Sequence, residues 1–254
     1  MTVTLLLDAD IIAFRACTMA EVETEWDFDQ WTLDCDHTQA KKAFEDTVDA
    51  LMDQAGADAC IHALTGPENF RYTVAPTYKS NRAKGRKPLG FAAFKDWIRE
   101  TYTVKETPAL EGDDVLGILM THPTMVPGTK VLWSDDKDLK QIPGLHLQDR
   151  QVVDVSVAEA DRFFYTQALT GDPTDGFKGC PGVGAVKAGK LLDPIPTGTS
   201  AATCAAMWPV IVESYQRAGL SEGDALTQAR LARILRHTDY DFKSKKVKLW
   251  TPTL

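Results

Sequence analysis

Three short apolar runs, residues 3–7, 59–64 and 130–133, set the frame of the chain. Each is too short for a helix and most are followed by turn-forming residues, the pattern of strands buried in a parallel sheet. Between the first two, Ala43, Phe44, Val48, Leu51 and Met52 recur at helical spacing. Between the second and third, residues 89–102 and 115–120 carry helical patterns as well. Strands alternating with helices predict an α/β fold in three layers, a parallel sheet with helices on both faces. Residues 194–200, rich in Pro, Gly and small polar side chains, read as a linker, and residues 201–219 and 221–237 as two further helices. Ser221 with Asp224 three residues on makes a capping-box signal.

Composition changes this picture little. At 44% hydrophobic and 25% charged residues the chain has the material for a sizeable core. The N-terminus lacks a basic stretch before its apolar run and so does not read as a signal peptide, and no apolar run approaches the ~20 residues that span a bilayer. No membrane partner is expected. Five scattered cysteines without a C-x-x-C pair indicate neither a disulfide framework nor a zinc site, in keeping with a reducing cytoplasm, the host's if the chain is phage-encoded.

Charge is more informative in its distribution than in its sum. The net charge is −8, yet Arg71, Lys79, Arg82, Lys84, Arg86 and Lys87 follow one another with no acidic residue between them. The acids gather elsewhere. Asp8 and Asp10 follow the first strand, two apart and so on one side if the extension continues. Ser134-Asp135-Asp136-Lys137-Asp138 follows the third strand, again with a pair two apart. Glu111-Gly112-Asp113-Asp114 opens a helix, where Glu111 and Asp114 share a face. Each group alone has a plain structural reading, as a helix-start acid or a turn. Two of them, however, lie at one predicted sheet edge, the edge where open parallel sheets bind ligands. Like charges ~4 Å apart repel by roughly 4 kcal/mol at an effective dielectric of 20, so such a cluster calls for cations. Oxygen donors without Cys or clustered His suit Mg²⁺ or Mn²⁺. A two-metal phosphoryl-transfer site is the economical account.

Taken in order, LLLDADIIAFRA, NFRYTVAPTYKSNR, EGDD, SDDKDLKQI and TGDPTDGFKGCPGVGAVKA resemble the 5′-nuclease or flap-endonuclease superfamily. The size and the tail (MWPVIVESYQRAGL, then ARLARILRHTDYDF) are most like its stand-alone 5′–3′ exonucleases from T7-like phages. The resemblance implies a PIN-like nuclease core over residues 1–165 with a helical arch near 73–90. It further implies a helix-hairpin-helix element and C-terminal helical region over 166–254, packed on the core. On matching positions it implies metal ligands at Asp8, Glu111, Asp113, Asp114, Asp136, Asp138, Asp172 and Asp175, holding two Mg²⁺ ions, with Mn²⁺ as substitute. Lys79 and Arg82 take catalytic places beside the scissile phosphate. Arg71 and Tyr78 belong to the same nucleic-acid-contacting stretch; Lys84, Arg86 and Lys87 beside it read either as a solvated charged loop or, given their neighbourhood to Tyr78-Lys79, as further phosphate contacts. Gly182, Gly184 and Lys187 match a hairpin that grips duplex backbone, with K⁺ bound there.

The expected activity is 5′ to 3′ hydrolysis of duplex DNA from its 5′ ends, with the RNA strand of RNA–DNA hybrids and 5′ flaps as further substrates. A PIN-type RNase and a non-catalytic nucleic-acid-binding scaffold are the alternatives. One departure bears on the second of these. Many relatives have an Asp at the end of the second strand, where this chain reads Leu64-Thr65-Gly66-Pro67, and the register of Glu68 does not suit it as a replacement. Phe177-Lys178, where relatives often have Ile-Pro, is expected to alter loop packing only. For Arg15, on the first helix, the plain structural reading is an anchor for neighbouring carboxylates. The five histidines have no metal-ligand spacing, and the Lys243 to Lys248 cluster reads as a solvated segment.

Overall fold

The computed structural model describes residues 2–252, except the side chains of Ala83 and Lys84. Contacts divide the chain into two compact units. One gathers the chain up to Pro67 with Gly85–Asp136 and Leu145–Val153; the other gathers Glu68–Lys84, Lys137–Gly144 and the chain from Asp154 onward.

The first unit holds a six-stranded sheet in the order β5-β4-β1-β6-β7-β8. Its strands are β1 (Val3–Asp8), β4 (Ala59–Thr65), β5 (Val104–Thr107), β6 (Thr129–Trp133), β7 (Gly144–Gln148) and β8 (Gln151–Val155). Strand β1 is central and runs parallel to both neighbours, with Asp8 beside Ala63 of β4 and Leu7 beside Trp133 of β6. The carboxyl ends of β1, β4 and β6 therefore share one edge, as the three apolar runs predict. Helices α1 (Ala9–Met19), α2 (His37–Ala55), α4 (Phe91–Thr101) and α5 (Gly112–Thr121) belong to this unit. Of these, α1, α2 and α4 bury Ile12, Phe44, Val48, Phe94 and Ile98 in one cluster with Leu5, Leu7, Leu64 and Val131 of the strands, and α5 buries Val115, Leu116, Ile118 and Leu119. Burying such a side chain stabilises by about 1.5–3 kcal/mol, so each helix is held mainly by its apolar stripe.

Helix α2 starts at Asp36, whose carboxylate accepts from Thr38 N and Gln39 N, and ends at Gly56 in the left-handed conformation. Between α1 and α2 lies a hairpin that the apolar pattern does not announce, β2 (Glu21–Trp26) with β3 (Gln30–Cys35). The 89–102 pattern is realised as α4, with Leu89 outside the helix, and the 115–120 pattern begins three residues earlier, at Gly112.

The second unit is mostly helical: α3 (Arg71–Val74), α6 (Val157–Thr170), α7 (Ala185–Leu192), α8 (Ser200–Arg217) and α9 (Glu222–Ala232). Its core includes Tyr78, Phe164, Leu169, Trp208, Ile211, Tyr215 and Ala229. The Ser221–Asp224 capping box forms as read, Ser221 Oγ accepting from Asp224 N and Asp224 Oδ2 accepting from Ser221 N. Among the described residues no helix is long and apolar enough to cross a membrane, and the five cysteines are all free.

Candidate active site

The edge of the sheet carries the first group of carboxylates. Asp8 ends β1 and caps α1, accepting from Ile11 N at 3.3 Å. Its other oxygen accepts from Ser134 Oγ at 2.7 Å, and Ser134 Oγ accepts in turn from Asp136 N at 3.0 Å. The two acidic groups read from sequence are thus joined through one serine. Burial pushes the Asp8 carboxyl up to about 6; the Ser134 hydrogen bond pulls it back, while repulsion from Asp10 and Asp136 adds to the rise. Asp135 pairs with Arg15, which has the anchoring role read for it.

Asp10 was noted in sequence only as the partner of Asp8, and the structure gives it a place of its own. Its Oδ2 accepts from Thr65 N at 2.6 Å, and its Oδ1 lies 2.8 Å from Lys95 Nζ. Lys95 also donates to Thr65 O at 3.0 Å, and Thr65 Oγ1 accepts from Gly112 N at 2.9 Å. At the end of β4, where relatives were expected to carry an acid, this chain thus has a threonine bound to an aspartate from α1. Lys95 has no sequence signal of its own; it is one cation on an amphipathic helix.

In the Glu111-Asp114 group all three acids sit at the start of α5, Glu111 and Asp114 closing its capping box. Asp114 is buried and its Oδ2 accepts from Glu111 N at 3.2 Å, closing the capping box of α5. Glu111 is the N-cap residue and Asp113 lies in the first turn, both partly exposed.

The second unit carries the other group. Lys137 donates to Asp138 Oδ1 at 3.0 Å and to Asp172 Oδ2 at 2.9 Å. Burial raises the Asp172 carboxyl, but the Lys137 bond and the Thr174 N–H outweigh it and hold the group below its ordinary value. Burial likewise lowers the Lys137 ammonium, and the bonds to Asp172 and Asp138 more than reverse this. Asp175 collects the Tyr78 hydroxyl at 2.8 Å, Arg82 Nη2 at 2.5 Å and Lys79 Nζ at 3.5 Å. Asn81 donates to Pro173 O at 2.8 Å, so the YKSNR segment is clasped onto the GDPTD loop. Phe177 is buried and closes that loop by exchanging backbone bonds with Asp172.

Three of the residues expected to contact nucleic acid are engaged within the protein. Arg71 is buried, its Nε donating to Leu231 O and its Nη2 to Arg233 O, because the last carbonyls of α9 need donors inside the core. Tyr78 is buried too, with its hydroxyl on Asp175. Both are framework residues rather than surface contacts. Arg86 is tied to Glu21 by contacts of 2.5 and 2.9 Å, and this hydrogen bond chiefly lowers the Glu21 carboxyl to about 2. Lys87 is exposed, and the Lys84 side chain lies outside the described residues. At the hairpin, Gly182 has φ of 72° and Gly184 has φ of −93°, Gly184 capping α7 while Lys187 stands exposed in its first turn.

Among the described residues no three His, Cys, Asp or Glu side chains are gathered as a ready ligand set. Asp8, Asp10, Asp114, Asp138, Asp172 and Asp175 are turned instead toward Ser134, lysines, Arg82, the Tyr78 hydroxyl and backbone amides. In kind they fit a hard divalent cation: all donors are oxygen, and Asp8 is a desolvated acid beside two others, the arrangement a cation relieves.

The central strands run parallel with acids beyond their carboxyl ends, the place where open sheets of this kind bind ligands. Comparison with known proteins makes the class specific. Residues 3–168, well over half of the chain, match the model of the 5′–3′ exonuclease N-terminal resolvase-like domain. The chain is 32% identical to the exonuclease of Escherichia phage T7 over 98% of its own length and 93% of that protein's. It is 31% identical to the exodeoxyribonuclease of Enterobacteria phage T3 over 98% of its own length and 92% of that protein's. In fold it resembles a phage T5 5′-exonuclease structure with bound zinc, at a TM-score of 0.66 and 16% identity, covering 91% of this chain and 89% of that one. The chain belongs to the 5′–3′ exonuclease family, and its activity is that of a 5′–3′ DNA exonuclease.

Proposed function

We propose that this exonuclease hydrolyses the phosphodiesters of duplex DNA from 5′ ends with two Mg²⁺ ions, which Mn²⁺ can replace. The RNA strand of an RNA–DNA hybrid and 5′ flaps are further substrates, since contacts to the backbone carry no base information. The observation that carries the metal requirement is Asp8, buried at the strand edge and joined through Ser134 to Asp136.

Asp8, Glu111, Asp113, Asp114 and Asp136 of the first unit and Asp138, Asp172 and Asp175 of the second would hold the ions, some of them through water. When bound, such ions lower the pKa of an attacking water and offset charge on the phosphate and the leaving 3′ oxygen. Ser134 fixes the orientation of the Asp8 carboxylate and of the Asp136 backbone. Lys79 and Arg82, held in place by Asp175, neutralise charge on the scissile phosphate. Gly182, Gly184 and Lys187 would bind duplex phosphates, and the hairpin would hold a K⁺ ion beside them. The reaction takes place in the cytoplasm of the infected host.

The test uses a 5′-end-labelled duplex, a hybrid and a flap substrate, with Mg²⁺, with Mn²⁺ and with EDTA. Mononucleotide or short products from the 5′ end in Mg²⁺ and none in EDTA is the expected outcome. Equal cleavage in EDTA, or release only from internal positions, overturns it.

A further inference from the structure

Lys137 sits between the two aspartates of the SDDKD segment, and both of its hydrogen bonds go to carboxylates named above as metal ligands. One is to Asp138 Oδ1 at 3.0 Å and the other to Asp172 Oδ2 at 2.9 Å. The two acids are 34 positions apart in sequence, so the ammonium is a cross-link between two loops of the second unit. Asp172 is the fixed partner. Its side chain is 6% exposed, and its Oδ1 accepts from Thr174 N at 2.7 Å. Lys137 is the movable one, since its side chain is 65% exposed and rooted in a surface 3-10 turn.

Lys95, in the first unit, makes the contrast. It also pairs with an acid of the sheet edge, yet it is 13% exposed and is further held by the Thr65 carbonyl. A lysine boxed in this way is part of the scaffold. A lysine that is 65% exposed can leave by rotating its own stem, but Asp138 and Asp172 are shielded at 15% and 6% exposure, so its place must then be taken by another cation. An ammonium and a divalent cation draw on the same carboxylate oxygens, so the binding of one weakens the binding of the other.

We propose that Lys137 is a tethered counter-ion, which holds Asp138 and Asp172 together in the metal-free protein and is displaced when a divalent cation takes their oxygens. This rests on the reading of those two carboxylates as ligands. Lys137 thereby sets the metal affinity of the pair: it lowers that affinity, and in return keeps two like charges from forcing their loops apart when metal is scarce.

The test is a Mg²⁺ titration of the full-length protein at low ionic strength, following thermal stability and, separately, binding heat. Asp172→Asn identifies the part of the response that belongs to this pair. For that part, Lys137→Met is expected to melt lower without Mg²⁺ and to reach half-response at about fivefold less Mg²⁺, equivalent to about 1 kcal/mol. Lys137→Arg, which keeps the charge, is expected to stay near the parent protein. Lys137→Gln gives the same measurement if the Met variant does not fold. An unchanged or higher half-point in Lys137→Met, with the Asp172-dependent response intact in the parent, overturns the counter-ion role alone. A response that Asp172→Asn leaves untouched overturns the ligand assignment itself, and the counter-ion role with it.

Discussion

Asp10 and Lys95 form an ion pair at 2.8 Å that also clasps Thr65, whose N–H donates to Asp10 and whose carbonyl accepts from Lys95. The pair therefore ties α1, α4 and the end of β4 together at the strand edge. Both side chains are mostly shielded, so removing one leaves a charge poorly solvated next to Asp8. Lys95→Met is expected to destabilise the first unit by about 2 kcal/mol in urea unfolding. Adding Asp10→Asn to it should restore roughly half of that loss, because the orphaned charge goes too. Additive losses in the double variant would show the pair to be uncoupled.

The catalytic reading puts its weight on the carboxylates after β6. Asp136→Asn with Asp138→Asn is expected to abolish cleavage while duplex binding persists, because the substitution removes anionic ligands and keeps shape. Binding is measured in Ca²⁺ and turnover in Mg²⁺. Near-normal turnover by a folded double variant would refute the assignment.

Lys79 and Arg82 share Asp175 as their partner, which orients their cationic ends before substrate arrives. A cation beside the reacting phosphate gains most as charge develops, so its loss appears in kcat rather than in affinity. Lys79→Ala is expected to lower the single-turnover rate constant roughly a hundredfold at saturating enzyme. An unchanged rate constant would make Lys79 a structural partner of Asp175 and nothing more.

How much of this was legible in the sequence depends on the range of the interactions. The strands β1, β4 and β6 are contiguous apolar runs, and the structure extends each by a single residue at one end. The β2–β3 hairpin escaped because Glu21, Glu23 and Glu25 alternate with Val22, Thr24 and Trp26, leaving no apolar run and an exposed sheet on both faces. Asp8, Asp136 and Asp172 were marked by motifs, but their partners were not. The Asp10–Thr65 bond spans 55 positions and exists only through the β1–β4 register. Arg71 shows the opposite case: a motif cation in a basic stretch reads as a phosphate contact, while the carbonyls it donates to lie 160 and 162 positions downstream at the end of α9.

A pH dependence of stability follows from His62, buried between the rings of Phe44 and Tyr102 at centroid distances of 6.0 and 4.7 Å. Burial depresses its pKa to about 4 from an ordinary 6.5, so the folded protein holds it neutral. Below pH 6.5 the unfolded chain takes up a proton that the folded one refuses, and stability falls until the pH reaches the folded value. From pH 7 to pH 5 this group alone should lower unfolding free energy by about 2 kcal/mol. His62→Leu is expected to flatten that part of the profile. An identical slope in the variant would assign the acid sensitivity elsewhere.

The hairpin before α7 tests whether the second unit holds duplex away from the cut. Its two glycines are not equivalent: Gly184 is an extended cap, whereas Gly182 has φ of 72°, in the left-handed region that favours glycine. A Cβ at Gly182 would meet nothing within 4 Å, so Gly182→Val strains the backbone by about 1–2 kcal/mol without a clash and leaves the rest of the unit folded. What it removes is close approach of the backbone to a phosphate, beside the N–H groups that open α7. Binding to long duplexes of any sequence should weaken, with much less loss on a duplex too short to reach the hairpin. Lys187→Ala should lower the salt dependence of binding by a slope of roughly 0.9, the release of one phosphate contact. Affinity is measured in Ca²⁺ across a salt series and two duplex lengths. Equal losses at both lengths would place the hairpin at the reacting end of the DNA, and no loss at either would reduce Gly182-Val183-Gly184 to a turn.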